Sequence, residues 1–423
     1  MSLFKTFYLS IFALLVGAAP ILLPSTWTDY DVIIVGGGPA GLAALSAAAR
    51  VRRNALLIDS GEYRNTPTRL MHDVIGFDGV PPAYFRWVAQ KQVAHYKTVK
   101  ATNGTVTNIQ PEAENSYFTV SMTEFDGTAS SLTARKIVLA TGLRDLIAPT
   151  PGLQENFGKG IYWCPWCDGN EHADQPMGIL GSFSKAARAA AEVLTLNTDI
   201  IIFANGTDTA ETRARADVVF AENSSLYLER RNIKVDNRTI ARITRLRDGS
   251  ADHTGSHLPS MPEYDLFRIE FEEGPSIERN TFFYTFDEEQ RSSLGERAGV
   301  ELVDGMMAVD DNMLTNVPGI YAVGDANSDT RTNVGHALYT GKSAVVHLHS
   351  EPAKLDHRTQ SGANHLFSCV VELEKENSRS LKSAGLPAIK AEEDLARARE
   401  RIWAQLQSSP SHPIFVDQYS LGL

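Results

Sequence analysis

Two cysteines separated by two residues stand directly before an acid in the segment Tyr162-Trp163-Cys164-Pro165-Trp166-Cys167-Asp168-Gly169. The chain of 423 residues has only three cysteines, and two of them lie here. Two thiols at this spacing can close a reducible disulfide, and a neighbouring group that manages a proton activates the thiolate. Asp168 is placed for that role, so the segment predicts a redox-active pair, Cys164 and Cys167.

Two other uses of these cysteines remain open from the spacing. A zinc site would need two further ligands, and the candidates are His172 and the distant Cys369. A purely structural disulfide would not need an acid beside it. The redox pair is the favoured interpretation, and no metal is predicted.

Composition bounds the class of protein and excludes one kind of partner. A length of 423 residues allows two or three domains, and 43% hydrophobic with 22% charged residues is ordinary for a globular protein with a full core. The formal net charge is −11. No basic cluster interleaved with aromatic residues occurs, so a nucleic-acid partner is excluded.

The N-terminus, residues 1–28, is a separate segment. Residues 6–28 carry no charge. Small residues at 16–18 would suit a signal peptidase, which predicts a cleaved secretory signal, while the apolar continuation at 21–23 leaves a membrane anchor open. The expected location is the secretory pathway, as a secreted, lumenal or membrane-anchored protein. Sequons for N-glycosylation, which suit this route, begin at Asn103, Asn205, Asn223 and Asn237.

A strand, a turn, a helix and a second strand follow this segment. Residues 31–35 are a continuous apolar run after one acid, residues 42–50 are rich in alanine, and residues 55–58 form a second apolar run that ends on Asp59. Runs of this kind, bounded by glycine, are typical of buried strands around an amphipathic helix. The order predicts a βαβ unit.

The turn of this unit carries glycines at the spacing GxGxxG. Gly36 permits the tight turn, Gly38 lets the backbone approach a pyrophosphate, and Gly41 lets the helix pack on the strand. Asp59, which comes 23 residues after Gly36, can hold a ribose hydroxyl. Because strand, turn, helix, strand and acid all fall at the required spacing, the unit predicts dinucleotide binding.

Two later stretches, Lys136–Gly142 and Gly319–Asp325, each run from a strand into a turn of small residues. With the N-terminal unit they resemble the three FAD fingerprints of flavoproteins with two dinucleotide-binding domains. The cysteine pair lies between the second and third fingerprints. Over about residues 30–350 the chain therefore resembles the low-molecular-weight thioredoxin reductases of the class-II pyridine nucleotide-disulfide oxidoreductases.

This resemblance implies roles for individual residues. Cys167 would face the flavin, Cys164 would meet the substrate, and Asp168 would shuttle a proton. The segment His72–Gly79 would fold over the flavin unless it is an ordinary surface loop. The cofactor would be FAD, with contacts from Gly36, Gly38, Pro39, Ala40, Gly41, Asp59, Ser60, His72, Val106, Ala140, Thr141, Gly142, Gly324, Asp325, Asn333 and Val334.

An internal repeat at an offset of 145 residues predicts a second nucleotide-like domain. It places Gly181 at the position of Gly36 but Phe183 at that of Gly38 and Ala204 at that of Asp59. We expect Phe183 to stand between the backbone and a pyrophosphate. No run of arginines follows the second strand of the repeat, although NADPH-specific relatives carry one for the 2′-phosphate. NADPH binding is therefore uncertain.

The predicted fold is α/β, with two Rossmann-like domains and a discontinuous FAD domain. The FAD domain comprises residues 29–154 and 286–350, and the NAD(P)-like domain that carries the cysteines comprises residues 155–285. Residues 351–423 are a C-terminal extension with a charged amphipathic helix at 391–407. Relatives of this type suggest a homodimer.

Three functions are consistent with these features. In the first, a dithiol is oxidised to a disulfide and oxygen is the final acceptor, as in the oxidases that close gliotoxin-like metabolites; those oxidases often carry histidine where this chain has Asp168. In the second, NADPH drives reduction of a disulfide, as in a thioredoxin reductase. In the third, the protein binds flavin without turnover. The partner would be a small-molecule dithiol or a thioredoxin-like protein.

Overall fold

The structure, a computed structural model, describes residues 28–220, 223–250, 259–329 and 331–359. Residues 1–27, Cys369 and the helix expected at 391–407 lie outside this part of the chain. The chain divides into two compact units after Glu351, and the features described below lie in the first. Within the described ranges, no helix has both the length and the apolar character needed to cross a bilayer.

The predicted βαβ unit is present as β1 (Tyr30–Val35), α1 (Pro39–Arg50) and β2 (Ala55–Asp59). Residues 32–34 of β1 are fully buried, which explains the continuous apolar run, because a parallel strand covered on both faces has no solvent side. The helix begins at Pro39, three residues earlier than predicted, since proline is compatible with the first helical turn.

A six-stranded sheet is built on this unit. Four of its strands are parallel and neighbour one another in the order β3 (Val99–Glu112), β2, β1, β5 (Ala129–Leu139). Strand β4 (Tyr117–Glu124) pairs antiparallel with both β3 and β5. Apolar side chains pack on both faces of the sheet. The further element is α2 (Pro82–Val93).

The middle of the chain forms a second parallel sheet of order β10-β9-β8-β14-β7, with a three-stranded antiparallel sheet, β11-β12-β13, beside it. The predicted repeat is its central part, β8-α5-β9. The elements are β6 (Leu143–Leu146), α3 (Leu153–Asn156), β7 (Ile161–Tyr162), α4 (Pro165–Asp168), β8 (Met177–Leu180), α5 (Phe183–Glu192), β9 (Ile200–Phe203), α6 (Ala210–Phe220), α7 (Ser224–Arg230), β10 (Lys234–Asp236), β11 (Ile240–Arg247), β12 (Leu266–Phe271), β13 (Ile277–Arg279) and β14 (Thr281–Tyr284).

The repeat predicts a helix over residues 182–196, but α5 ends at Glu192, four residues earlier. The following residues include Val193, Thr195 and Asn197, which favour helices weakly. The side-chain amide of Asn197 donates instead to the carbonyl oxygens of His172 and Gln175, at 2.9 and 2.8 Å. Burial of these three polar groups fixes the chain after the helix.

The chain then returns to the first sheet. Strand β15 pairs antiparallel with β6 and forms a two-stranded ribbon between the two sheets, and β18 adds to β5 in parallel. The last helix extends ten residues beyond the predicted end at residue 349. The elements are β15 (Asp287–Gln290), α8 (Leu294–Arg297), β16 (Leu302–Val303), β17 (Met306–Met307), β18 (Ile320–Ala322) and α9 (Val334–Thr359).

This topology brings the three glycine-containing motifs together. Ala140 N–H donates to the Val35 carbonyl and Val323 N–H to the Leu139 carbonyl, both at 2.9 Å. The carboxyl ends of β1, β5 and β18 therefore lie side by side. Ligands of open parallel sheets bind at such an edge, where neighbouring strands turn to opposite sides.

Candidate functional site

A cavity of about 320 Å³ opens at the carboxyl ends of β1, β5 and β18. It runs from the glycine turn of the first motif to the cysteine pair. Three of the predicted site residues, Gly41, Asp59 and Cys164, do not line it. The predicted residues that do line it are Gly36, Gly38, Pro39, Ala40, Ser60, His72, Val106, Ala140, Thr141, Gly142, Cys167, Asp168, Gly324, Asp325, Asn333 and Val334.

The glycine turn leaves room for a phosphate group at the N-terminus of α1. Gly36 has φ +113°, which only glycine adopts easily, and a Cβ on Gly41 would lie 1.9 Å from the Gly36 oxygen. A Cβ on Gly38 would meet nothing within 4 Å, so the space beside it is open. No side chain caps α1, which leaves its first N–H groups free for an anion.

Asp59 lies behind the wall of the cavity rather than on it. Its side chain is buried against Gly37, and its carboxylate accepts hydrogen bonds from Gly61 N–H at 2.9 Å and from the Tyr63 hydroxyl at 2.5 Å. The guanidinium of Arg86 lies 3.7 Å from the centre of the Tyr63 ring. Contact of Asp59 with a ribose hydroxyl stays a prediction.

Arg64 is a site residue that sequence reasoning missed. It lines the cavity, and its guanidinium contacts Asp145 on β6, Glu288 on β15 and Asp325 after β18, at 2.7, 2.6 and 3.0 Å. Burial raises the pKa of Asp325, and Arg64 opposes that rise. No local signal could have found Arg64, because its partners lie 81, 224 and 261 residues away in the sequence.

The two cysteines form a disulfide across the first turn of α4. Cys164 precedes the helix, and its carbonyl accepts hydrogen bonds from the N–H groups of Cys167 and Asp168, at 3.1 and 3.2 Å. Cys167 lines the cavity and Cys164 does not. Trp166, between them, is 72% exposed. The division of roles, with Cys167 toward the cofactor and Cys164 toward the substrate, stays a prediction.

Asp168 lies at the cavity wall beside a buried group of charges. Burial raises the pKa of its carboxyl to about 7, with His172 opposing the rise and Glu263 and Glu171 adding to it. A carboxyl with this pKa exchanges protons near neutral pH, which general acid-base catalysis requires. The predicted proton role is chemically reasonable for this side chain.

The buried acids near Asp168 do not call for a metal ion. His172, Glu263 and Asp265 place ligand atoms within 4.8 Å of one another. The Arg69 guanidinium already contacts both carboxylates, with 2.8 Å to Asp265. Because a protein cation neutralises these acids, we assign no metal to the group.

A second cavity, of about 310 Å³, opens at the carboxyl ends of β8 and β9. The expectation that Phe183 blocks it is wrong: the Phe183 side chain is fully buried in the core of the second sheet and does not line the cavity. The reason is a shift of one residue. Helix α5 begins at Phe183, whereas α1 begins one residue after Gly38, so the two positions are not equivalent.

Other contacts reduce the capacity of this second cavity for a phosphorylated nucleotide. The Phe183 N–H donates to the Thr207 hydroxyl at 2.9 Å. The Arg213 guanidinium makes two hydrogen bonds of 2.6 Å to Asp208, and Lys185 pairs with Asp287. These three donors therefore already have acceptors within the protein, and of the two cations Lys185 is the one that lines the cavity.

Comparison with known proteins gives one family and consistent relatives. Residues 30–341 match the model of the pyridine nucleotide-disulphide oxidoreductases. The chain is 42% identical to a probable thioredoxin reductase of Arthroderma benhamiae, over 79% of this chain and 84% of that one. It is 29% identical to thioredoxin reductase tcpT of Claviceps purpurea, over 76% and 93%.

Solved structures give the same result. The crystal structure of HlmI superposes with a TM-score of 0.66 at 28% identity, covering 80% of this chain and 97% of that one. A putative thioredoxin reductase TrxB from Bacillus anthracis gives 0.65 at 25% identity, covering 77% and 99%. The α/β fold with two Rossmann-like domains is confirmed.

Proposed function

Since the chain belongs to the pyridine nucleotide-disulphide oxidoreductase family, we propose that it oxidises a dithiol to a disulfide and passes the electron pair to oxygen. The general class follows from the family and the relatives: the protein is an FAD-dependent oxidoreductase that acts on sulfur groups. The direction of electron flow, the final acceptor and a role in secondary-metabolite biosynthesis are the proposed parts.

The residues of the first cavity fit FAD. The open space beside Gly38 and the uncapped N-terminus of α1 suit a pyrophosphate. Asp325 and Arg64 provide a partly buried acid and its cation for the ribityl chain, and Asn333 and Val334, at the start of α9, line the same cavity as Cys167. FAD bound here supplies the two-electron chemistry that links the cysteine pair to oxygen.

The chain's own residues handle the sulfur chemistry. A substrate thiolate attacks Sγ of Cys164, the bond to Cys167 breaks, and Cys167 leaves as the thiolate. The second substrate thiol gives its proton to Asp168 and attacks the mixed disulfide, so that the substrate leaves oxidised. Cys164 takes up the proton from Asp168. When the electron pair departs from the cavity-facing Cys167, Cys164 releases that proton and the Cys164–Cys167 bond forms again, so both protons of the dithiol end on the peroxide. The net reaction is dithiol plus oxygen to disulfide plus hydrogen peroxide.

Removal of the Arg64 guanidinium should weaken cofactor binding. In Arg64→Met, three acids lose their shared cation, and we expect the dissociation constant for FAD to rise about 10- to 100-fold, the cost of charged hydrogen bonds. Fluorescence titration of the apoprotein with FAD measures this. The matched control is Arg144→Met on the same ribbon, whose pair with Glu289 is exposed and worth little. Equal affinities in both variants would refute the assignment.

One observation supports oxidase rather than reductase chemistry. Lys185 lines the second cavity and is paired with Asp287, and Arg213, outside the lining, is paired with Asp208. To reach a nucleotide phosphate, Arg213 would have to leave two hydrogen bonds to Asp208, and that cost lowers affinity; the exposed Lys185–Asp287 pair adds little to it. A dithiol substrate meets no such obstacle, because it needs only access to Cys164.

NADPH-dependent disulfide reduction is the second candidate. The relative at 42% identity carries the name thioredoxin reductase, and the second cavity is open, since Phe183 does not fill it. In that case the same cysteine pair would reduce a thioredoxin-like protein or a small disulfide.

Anaerobic titration separates these functions. We expect a small dithiol to bleach the absorbance of the bound flavin and NADPH to leave it unchanged, with oxygen restoring the colour and yielding one peroxide per dithiol. Bleaching by NADPH at a rate that supports turnover would favour the reductase. If neither reagent bleaches the flavin, the protein binds its cofactor without redox exchange through the cysteines.

Location and assembly stay predictions. We propose entry into the secretory pathway through residues 1–28, because that segment is uncharged from residue 6 onward, and a homodimer by resemblance. Outside the cytosol NADPH delivery is limited, which agrees with a function that uses oxygen.

A further inference from the structure

A buried histidine lies one turn beyond the cysteine pair. His172 follows α4 in a short 3-10 turn, Asn170–His172, and is 2% exposed. Its ring lies against that of Tyr162, with 5.5 Å between the ring centres. The backbone carbonyl of His172 accepts from Asn197 at 2.9 Å, so the residue is held at both its ring and its main chain.

The contacts of the two ring nitrogens favour a protonated imidazole. Nδ1 lies 2.8 Å from the Asp168 carbonyl oxygen, which can only accept, so Nδ1 carries a proton. Nε2 lies 3.5 Å from a carboxylate oxygen of Asp265 and 3.6 Å from one of Glu263. Nε2 makes no hydrogen bond, but a proton on it would lie between two carboxylates, which favours the imidazolium form.

The electrostatics of the site agree with this state. Burial alone would lower the pKa of His172, but the contacts with Asp265 and the Asp168 carbonyl raise it above its ordinary value. The contact between His172 and Asp265, together with those from Arg69, holds the pKa of Asp265 below its ordinary value, although burial acts to raise it. The protonated ring is therefore more stable than burial alone would allow.

Acids predominate around this cation. Glu171 contacts His72, with 3.7 Å between Oε1 and Nε2, and adds a negative charge on the side of Asp168. Loss of the imidazolium would therefore leave Arg69 as the cation that opposes Glu171 and Glu263 at Asp168. The titratable or charged groups that face His172 and Asp168 are Tyr162, Glu171, Glu263, Asp265, Arg69 and, through Asp265, Arg245 and Asp248.

We propose that His172 is a positioning residue for the redox centre: its ring fixes the Asp168 end of α4 through the Nδ1 hydrogen bond and, protonated beside the carboxylates of Asp265 and Glu263, places a positive charge next to the Asp168 carboxyl. The contact ties the turn that carries Cys167 to the buried acids Glu263 and Asp265 in the segment before β12. The inference rests on the proposed proton role of Asp168.

We expect substitution of His172 to change both the rate and the pH dependence of reduction of the Cys164–Cys167 disulfide. Without its nearest imidazolium, the Asp168 carboxylate is less stabilised and binds its proton more tightly. The pH midpoint for reduction of the Cys164–Cys167 disulfide by a dithiol should rise by about one unit in His172→Gln. Removal of an opposing acid in Glu171→Gln should lower the midpoint, and glutamine there can still accept the Ser260 hydroxyl hydrogen bond.

The experiment follows disulfide reduction in the FAD-loaded protein. The protein reacts with dithiothreitol anaerobically from pH 5 to 9, and free thiols are trapped by alkylation and counted by mass spectrometry. His172→Lys, which retains a positive charge, should keep a midpoint near that of the parent. His95→Gln, which replaces an exposed imidazole after α2, should leave both rate and midpoint unchanged.

The outcomes separate this inference from the proposed function. If His172→Gln slows the reaction without moving the midpoint, the histidine is only structural and the inference is wrong. If His172→Gln does not fold, an unchanged midpoint in Glu171→Gln overturns the inference equally. A midpoint that persists in Asp168→Asn would instead refute the proton role of Asp168 on which the inference rests.

Discussion

Cys167→Ser is expected to reduce the rate of dithiol-driven flavin reduction by at least about three orders of magnitude, because serine can neither form the disulfide nor leave as a thiolate. Cys167 is the cysteine that lines the cofactor cavity. Its loss removes the sulfur through which the electron pair leaves, whereas FAD binding should persist, since serine occupies nearly the same volume. Stopped-flow absorbance of the bound flavin measures the rate.

The control for this result is the third thiol. Cys369→Ser removes a cysteine outside the described residues, and we expect an unchanged rate. Cys164→Ser should be as inactive as Cys167→Ser, since substrate can no longer form a mixed disulfide. A Cys167→Ser variant that is still reduced by dithiol at the parent rate would show that electrons reach the flavin without the pair.

The second large effect is expected for Asp168→Asn. The amide cannot take the proton of the second substrate thiol, and the loss of a general base costs about 10²- to 10⁴-fold in rate. Burial raises the pKa of Asp168 to about 7, so the carboxylate is the major form only above that pH. In the parent the rate should rise through pH 7, and in Asp168→Asn this rise should disappear, leaving only the titration of the substrate thiol.

A matched control lies six residues further along the chain. Asp174 is exposed and has φ +60°, a conformation that asparagine accepts, so Asp174→Asn should retain the rate and the pH profile. Full activity in Asp168→Asn, or an unchanged profile, would mean that solvent rather than this carboxyl manages the proton.

Much of the cofactor site could be predicted from the sequence because local pattern determines it. The tight turn at Gly36 and the close approach of Gly41 to its carbonyl follow from residue types within one βαβ unit. The motifs that end at Gly142 and Asp325 join it because parallel strands meet at their carboxyl ends. Each of these features depends on a few adjacent residues.

The charge networks could not be predicted, because their members are distant in sequence. Arg64 binds acids up to 261 residues away, and Arg69 binds Glu263 and Asp265, 194 and 196 residues away. Nothing in the segment after β2 distinguishes these two arginines from ordinary surface residues. Only the fold brings them to buried carboxylates.

The error at Phe183 has a different origin. The repeat at an offset of 145 residues aligned it with Gly38, which predicted a side chain in the nucleotide cavity. The two helices begin one residue apart in this alignment, and on a helix one residue changes the direction of a side chain by about 100°. Phe183 consequently packs inward, and the sequence repeat alone could not show the shift.

The central claim is that the sulfur of Cys167 lies against FAD in the first cavity, and one spectrum tests it most directly. In Cys164→Ser the disulfide cannot form, so Cys167 is a free thiol whose thiolate can donate charge to oxidised flavin. We predict a long-wavelength charge-transfer absorbance in the FAD-loaded variant that grows as the thiol ionises and is absent from the variant that lacks both cysteines. A protein that binds FAD but shows no such band at any pH, or that binds no FAD, would contradict the account.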